Sequence, residues 1–156
     1  MTITAYRITK TRYAEQAFSG EGAKLTGGRW NPIGMPLVYL ASSLSLATLE
    51  LMVHTEDYGI LSRLFSVIEV EFDSRMVFKP KPEDLPPGWD SPEILAGTQV
   101  YGAEWTRSQR SAILQVPSAV TPQESNLLLN PAHPRFEKIK IGKVMPFHFD
   151  PRLIKS

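Results

Sequence analysis

A short apolar run, Leu37-Val38-Tyr39-Leu40, leads within a few residues into Ser42-Ser43 and then a helical pattern carrying Leu46, Leu49 and Val53. No other feature restricts the fold so tightly. The β-branched and aromatic content of the run marks it as a buried strand. A serine hydroxyl accepts from the free N–H groups of a first helical turn, so Ser42 or Ser43 caps a helix from about Ser43 to His54. That helix carries Glu50 two turns in and close to its apolar side, where it is partly buried or directed into a cleft. A buried carboxylate is costly unless paired, so Glu50 has either a structural partner or a function.

The segment before the strand is Gly27-Gly28-Arg29-Trp30-Asn31-Pro32, at the end of a stretch from Ser19 to Gly28 with four glycines that reads as a loop. Glycine permits positive φ and close approach of a ligand, and arginine offers a planar fork of donors to a phosphate or carboxylate. Arg29, Tyr39 and Glu50 fall within 22 residues and form a candidate active site. Each has a structural alternative. Arg29 would equally serve a surface ion pair, Tyr39 would serve the core with its hydroxyl satisfied, and Ser118, just after Pro117, would serve as a turn residue.

Elsewhere, Ile3 to Thr9 alternates as an opening strand with Tyr6 and Arg7 on opposite faces, and Arg63 to Phe72 reads as a second strong strand. Five prolines between Pro80 and Pro92 make a surface connection, in which Trp89 is expected to pack the loop down. Pro92 to Arg110 allows one or two helices interrupted near Gly97 and Gly102. Ser111 to Pro117 is a strand ended by proline, which leaves Ser118 just past its terminus. Phe136 to Gly142 alternates as a final half-exposed strand. Short strands among few helices give a mixed α+β class, and 156 residues fit one domain, 1–156.

Composition narrows the chemistry. The net charge is +1 with Lys and Arg scattered singly, so nucleic acid is a poor direct ligand. The absence of cysteine removes disulfides, thiolate metal sites and a thiol nucleophile, and suits a reducing compartment. No apolar run approaches the length of a membrane span and the N-terminus lacks a signal-like pattern, so a cytoplasmic location is expected. His54 follows Glu50 by four residues on one helix face, with His133 as a candidate neighbour. Neither belongs to a zinc-binding motif and His148 is remote in sequence, so no metal is expected.

Four blocks in order carry a resemblance. They are Arg29 in Gly-Gly-Arg-Trp-Asn, Tyr39 in Val-Tyr-Leu-Ala, Glu50 in Ala-Thr-Leu-Glu-Leu-Met-Val-His, and Ser118 in Gln-Val-Pro-Ser-Ala-Val, with Glu124 to Pro134 following as a C-terminal signature. In these the chain, from about Tyr6 to Phe147, resembles the RES domain, the toxin half of bacterial RES-Xre toxin–antitoxin pairs. The resemblance implies a compact α+β domain with a mixed β core and flanking helices, similar to ADP-ribosyltransferases and diphtheria-toxin-like NAD-binding folds. It also implies a toxin that arrests growth by consuming NAD, as substrate and not as cofactor.

Cleaving the nicotinamide–ribose bond passes through an oxocarbenium-like state that a carboxylate stabilises. Glu50 takes that role; Arg29 would clamp the pyrophosphate, Tyr39 would stack on or wall in the nicotinamide, and Ser118 would position a ribose hydroxyl or phosphate oxygen. Asn126 and His54 stand as secondary substrate-binding residues, and the N-terminus of the helix at Ser43 as a general anion site. Hydrolysis, phosphorolysis and transfer of ADP-ribose to a protein share the first step, while a catalytically silent module would only bind its partner. That partner is expected to be an Xre-type helix-turn-helix antitoxin, so that DNA contact is indirect. A homodimer is compatible with the resemblance. The roles of Arg7 and His133, and whether Pro80 to Pro92 covers the cleft, stay open at this level.

Overall fold

The computed structural model describes residues 1–55 and 64–153. In chain order the main elements are β1 (Thr2–Lys10), α1 (Glu21–Thr26), β2 (Val38–Ala41), α2 (Leu44–Val53), β3 (Phe65–Asp73), β4 (Val77–Phe78), α3 (Ala96–Ser108), β5 (Ile113–Pro117), β6 (Ser125–Leu129) and β7 (Lys140–Phe147). Among the described residues the strands form one seven-stranded sheet, β4-β5-β6-β2-β1-β3-β7. Only β4 and β5 run parallel; every other neighbouring pair is antiparallel. The class is α+β, as expected.

Alternation of side chains makes β1 and β3 the long central pair, in register from Thr2↔Asp73 to Lys10↔Phe65. β2 pairs with β6 along its whole length, yet meets β1 at a single register position, Tyr6↔Ala41. The two halves of the sheet therefore join at one point. Arg7 occupies that junction, where its Nη1 donates to the Tyr39 carbonyl at 3.0 Å.

Period two also sorts the core. Val38 and Leu40 pack with Ala5, Ile68, Leu127 and Leu129 on one face, whereas Tyr39, Leu114, Val116 and Leu128 face Trp30, Leu37 and Trp105 on the other. Leu46 and Ala47 of α2 pack on Ala41, Tyr6 and Ile8. Burying Leu46 completely contributes about 1.5–3 kcal/mol. The helix starts at the cap anticipated from sequence: Ser43 accepts from the Leu46 N–H at 3.0 Å.

Several expectations are corrected. The glycine-rich stretch contains α1 and is not wholly loop, because Gly20 at φ 76° and Gly27 at φ 74° bracket one helical turn and a half. The segment before Arg110 is one uninterrupted helix, α3, despite Gly97 and Gly102. Gly102 is there for contact: a Cβ at this position would overlap the Trp30 carbonyl, so the helix backbone rests directly on the Arg29 loop. The last strand begins at Lys140 and runs to Phe147, because Phe136–Lys138 forms a 3₁₀ turn whose Phe136 packs on the core. Asn126 lies in strand β6, between β5 and β2. Arg63 lies outside the described residues.

Candidate active site

Glu50 has the partner that its half-buried position demands. Ser118, wholly buried at the end of β5, donates its hydroxyl to Glu50 Oε1 at 2.6 Å. The same Oγ accepts from the backbone N–H groups of Val120 at 3.0 Å and Thr121 at 3.1 Å. With both acceptor positions filled, the single hydroxyl hydrogen can only point at the carboxylate. Ser118 thus orients Glu50, and in this arrangement has no second hydrogen for a ribose or phosphate oxygen.

His54, the C-terminal cap of α2, holds Nε2 at 3.8 Å from Glu50 Oε2, too long for a hydrogen bond but close enough to act through charge. Asn126 donates from Nδ2 to the Leu40 carbonyl at 3.3 Å and presents the same amide to Glu50. Burial pushes the Glu50 carboxyl up, and the combined influence of His54, Ser118 and Asn126 outweighs it, leaving the group below its ordinary value and ionised at neutral pH.

Tyr39 organises the other side. Its hydroxyl donates to Asn31 Oδ1 at 2.7 Å and accepts from the Trp30 N–H at 2.9 Å. Asn31 is fully buried and donates from Nδ2 to the carbonyls of Ala23 at 2.8 Å and Met35 at 3.0 Å. Gly28 lies so close that a Cβ there would press on the Tyr39 hydroxyl at 2.7 Å. Burial raises the Tyr39 phenol well above its ordinary value, so it stays neutral. Its hydroxyl is a pin for the Arg29 loop, and its ring packs against the Trp30, Leu37 and Leu128 cluster.

Arg29 leaves that loop and donates from Nη1 to the Trp89 carbonyl at 2.9 Å, while Gln99 of α3 donates to the Gly28 carbonyl at 3.1 Å. The proline-rich segment is thereby docked beside Arg29, and Trp89 packs against the Trp30 and Val116 cluster as anticipated. Sheet register connects the two sides of the site: Tyr39 pairs with Leu128 and Ala41 with Asn126, so the Tyr39 and Asn126 side chains share a face. The structure brings Glu50, Ser118, Asn126 and His54 into one cluster and ties Tyr39 to Arg29 in another on the same face.

Other expectations resolve differently. The N-terminus of α2 faces a carboxylate of its own chain: Ser43 Oγ donates to Glu124 Oε1 at 2.5 Å, which corrects the general anion site expected there. His133 sits at the end of α3, with Nε2 against the Gln109 carbonyl at 2.9 Å and Nδ1 accepting from the Arg135 N–H at 3.0 Å. Both ring nitrogens are used structurally. Among the described residues no group of three or more His, Cys, Asp or Glu could hold a metal ion, and no helix is long and apolar enough to cross a membrane. Asn31 and Glu124 were not singled out from sequence. The burial signal for Asn31 was its place between Trp30 and Pro32, which reads equally as a turn. Arg7 is partly buried, and desolvation holds its guanidinium below its ordinary pKa; its Nε has no hydrogen-bond partner among the described residues.

These features define a single α+β domain that carries, on one sheet face, an ionised carboxylate held by a serine and an arginine loop pinned by a tyrosine. The chain belongs to the RES domain family, whose model matches residues 4–150. It is similar to the Prs ADP-ribosylating toxin of Sphingobium sp. (strain YBL2), at 42% identity covering 100% of this chain and 99% of the relative. It is likewise similar to Toxin Res of Yersinia enterocolitica, at 43% identity covering 95% of this chain and 97% of the relative. The fold is shared with a chain in the crystal structure of the M. tuberculosis MbcT-MbcA toxin–antitoxin complex, with a TM-score of 0.77 at 21% identity over 98% of this chain and 87% of that one.

Proposed function

We propose that the protein is the toxin of a toxin–antitoxin pair and that it cleaves the nicotinamide–ribose bond of NAD. The observation that carries this reading is Glu50: a carboxylate kept ionised, aimed by Ser118, on the sheet face that also holds Tyr39 and the Arg29 loop. The glycosidic electron pair leaves with the pyridinium nitrogen, giving neutral nicotinamide without a general acid. Positive charge develops on the ribose, where Glu50 stabilises it electrostatically. An acceptor oxygen, from water or inorganic phosphate, then bonds to the anomeric carbon and releases its proton to solvent. Arg29 supports the pyrophosphate through the donors not given to Trp89, and the Tyr39 ring walls the nicotinamide. Loss of NAD in the cytoplasm arrests growth. The partner is an antitoxin, a reading supported by the toxin–antitoxin complex that supplies the structural neighbour, and the family resemblance implies that it is of the Xre type.

A second reading shares this bond cleavage and passes ADP-ribose to a protein side chain. It is favoured by the name of the relative that aligns over the entire chain. The test is incubation with NAD, with and without phosphate and with a cell extract, resolving nicotinamide, ADP-ribose, its phosphate and labelled protein by mass spectrometry beside Glu50→Gln. Nicotinamide release lost in the variant supports the reaction, and the product names the acceptor. Intact NAD from folded, antitoxin-free protein in every arm sinks both readings.

A further inference from the structure

Two of the cavities on the described surface can be compared as ligand sites. The larger, of about 410 Å³, lies on the β1–β3–β7 face beside α2 and carries the carboxylates of Glu69 and Glu71 beside the ammonium groups of Lys140 and Lys143. The second, of about 340 Å³, lies between the proline-rich segment and the end of β5, and no Asp or Glu lines it. It exists because β4 stops at Phe78↔Leu114, so Gln115 to Pro117 have no strand on their outer side, and Pro80 turns the chain away. Leu85, Trp89 and Val116 form its apolar wall, while Lys79, Gln115 and Gln123 supply an ammonium group and two amides. Gln115 Nε2 is already given to Ser125 Oγ at 3.1 Å, whereas Lys79 makes no ion pair among the described residues.

We infer that this second cavity receives the adenosine half of the dinucleotide, an inference that rests on the NAD-cleaving reading above. Its position fits that order along the substrate. Trp89 lines the cavity and its carbonyl holds Arg29, the proposed pyrophosphate clamp. Pro117 lines the other side and precedes Ser118, which holds Glu50. The cavity thus adjoins both the residue that holds Arg29 and the residue before the one that holds Glu50. The chemistry fits as well: a half-buried indole offers a face on which a purine stacks, a glutamine amide matches the donor and acceptor pair on the adenine edge, and an unpaired lysine attracts phosphate. Prolines keep the walls rigid before the ligand arrives. The larger groove balances its two carboxylates with Lys140 and Lys143, and its lining includes none of Trp89, Arg29 and Pro117, so it lacks this connection to the site.

The probe is AMP, whose binding needs no turnover. Equilibrium binding is measured for the native chain, Glu50→Gln, Lys79→Ala and Gln123→Trp; Lys79 and Gln123 are both exposed, so the variants fold, which thermal melting verifies. AMP should bind the native chain and Glu50→Gln alike and weaken by roughly tenfold in each cavity variant, with KM for NAD rising by a similar factor. No binding of AMP, or binding indifferent to both cavity variants, overturns the assignment. Variant-sensitive AMP binding by a protein that leaves NAD intact would keep the cavity as a nucleotide site and discard the proposed reaction.

Discussion

Replacing Ser118 with alanine tests the central feature of the site, the commitment of one hydroxyl to Glu50. The side chain is wholly buried, and its Oγ serves one carboxylate and two backbone N–H groups. Loss of a hydrogen bond to a charged group costs about 1.5–3 kcal/mol, and each buried amide left without an acceptor adds about 1–3 kcal/mol where water cannot enter. Even the lower ends sum to about 3.5 kcal/mol, which for a domain of this size lowers the melting temperature by about 7–14 °C. Calorimetry reads that loss. NMR titration of the Glu50 side-chain carboxyl reads a second consequence: with one of the groups that lowers it removed, its pKa rises. A melting temperature within about 2 °C of the native chain, together with an unmoved Glu50 titration, would refute the reasoning.

Tyr39→Phe removes the pin between Asn31 and the Trp30 amide, and should cost about 1–3 kcal/mol while accelerating hydrogen exchange at Trp30. Gly102→Ala drives a methyl into the Trp30 carbonyl and should destabilise by about 1–3 kcal/mol or more. Gly97→Ala in the same helix meets only Pro86 at 3.7 Å and should be neutral or stabilising by up to about 1 kcal/mol, so equal losses in denaturant melts would contradict the packing argument. The Glu50 pKa is depressed in the folded protein, so its stabilising share is present above the ordinary carboxylate value of about 4.3 and is lost as pH falls through the lower folded value. Nicotinamide release should therefore persist to acid pH until the folded value is reached, and His54→Ala should move that acid limb upward in a pH–rate profile.

The long strands β1 and β3 and the capped helix α2 were legible because each is a local pattern: period two in Ile3 to Thr9 and, imperfectly, in Arg63 to Phe72, and a serine ahead of an apolar helix face. Glu50 was legible for the same reason, since a carboxylate on an apolar face asks for a partner. What the partner is was not legible, because Ser118 reaches it from 68 residues away. β6 escaped notice because Asn126 and Asn130 flank a run, Leu127-Leu128-Leu129, that is buried on both faces and so shows no alternation. The glycines of α3 read as breaks because propensity is a statement about an isolated helix, whereas Gly102 is selected by contact with Trp30. The Tyr39 hydroxyl looked available for chemistry, and its use by Asn31 depends on a turn that no spacing rule discloses.

Strand β6 lies between β5 and β2 although it comes later in the chain than either. Before it is made, β5 has no sheet connection to the half of the molecule that carries Glu50, and Ser118 cannot be placed against the carboxylate. A growing chain that stops before Asn126 therefore holds Arg29, Tyr39, Glu50 and His54 but lacks Asn126 and the strand that sets Ser118 against the carboxylate. The site closes only when a late strand fills a gap between two early ones, a long-range step that contact-order reasoning places among the slow events of folding. For a protein whose proposed activity depletes its own host's NAD, synthesis and the appearance of activity are separated in time, and that interval is the one in which a partner can meet the chain before it has turned over any substrate.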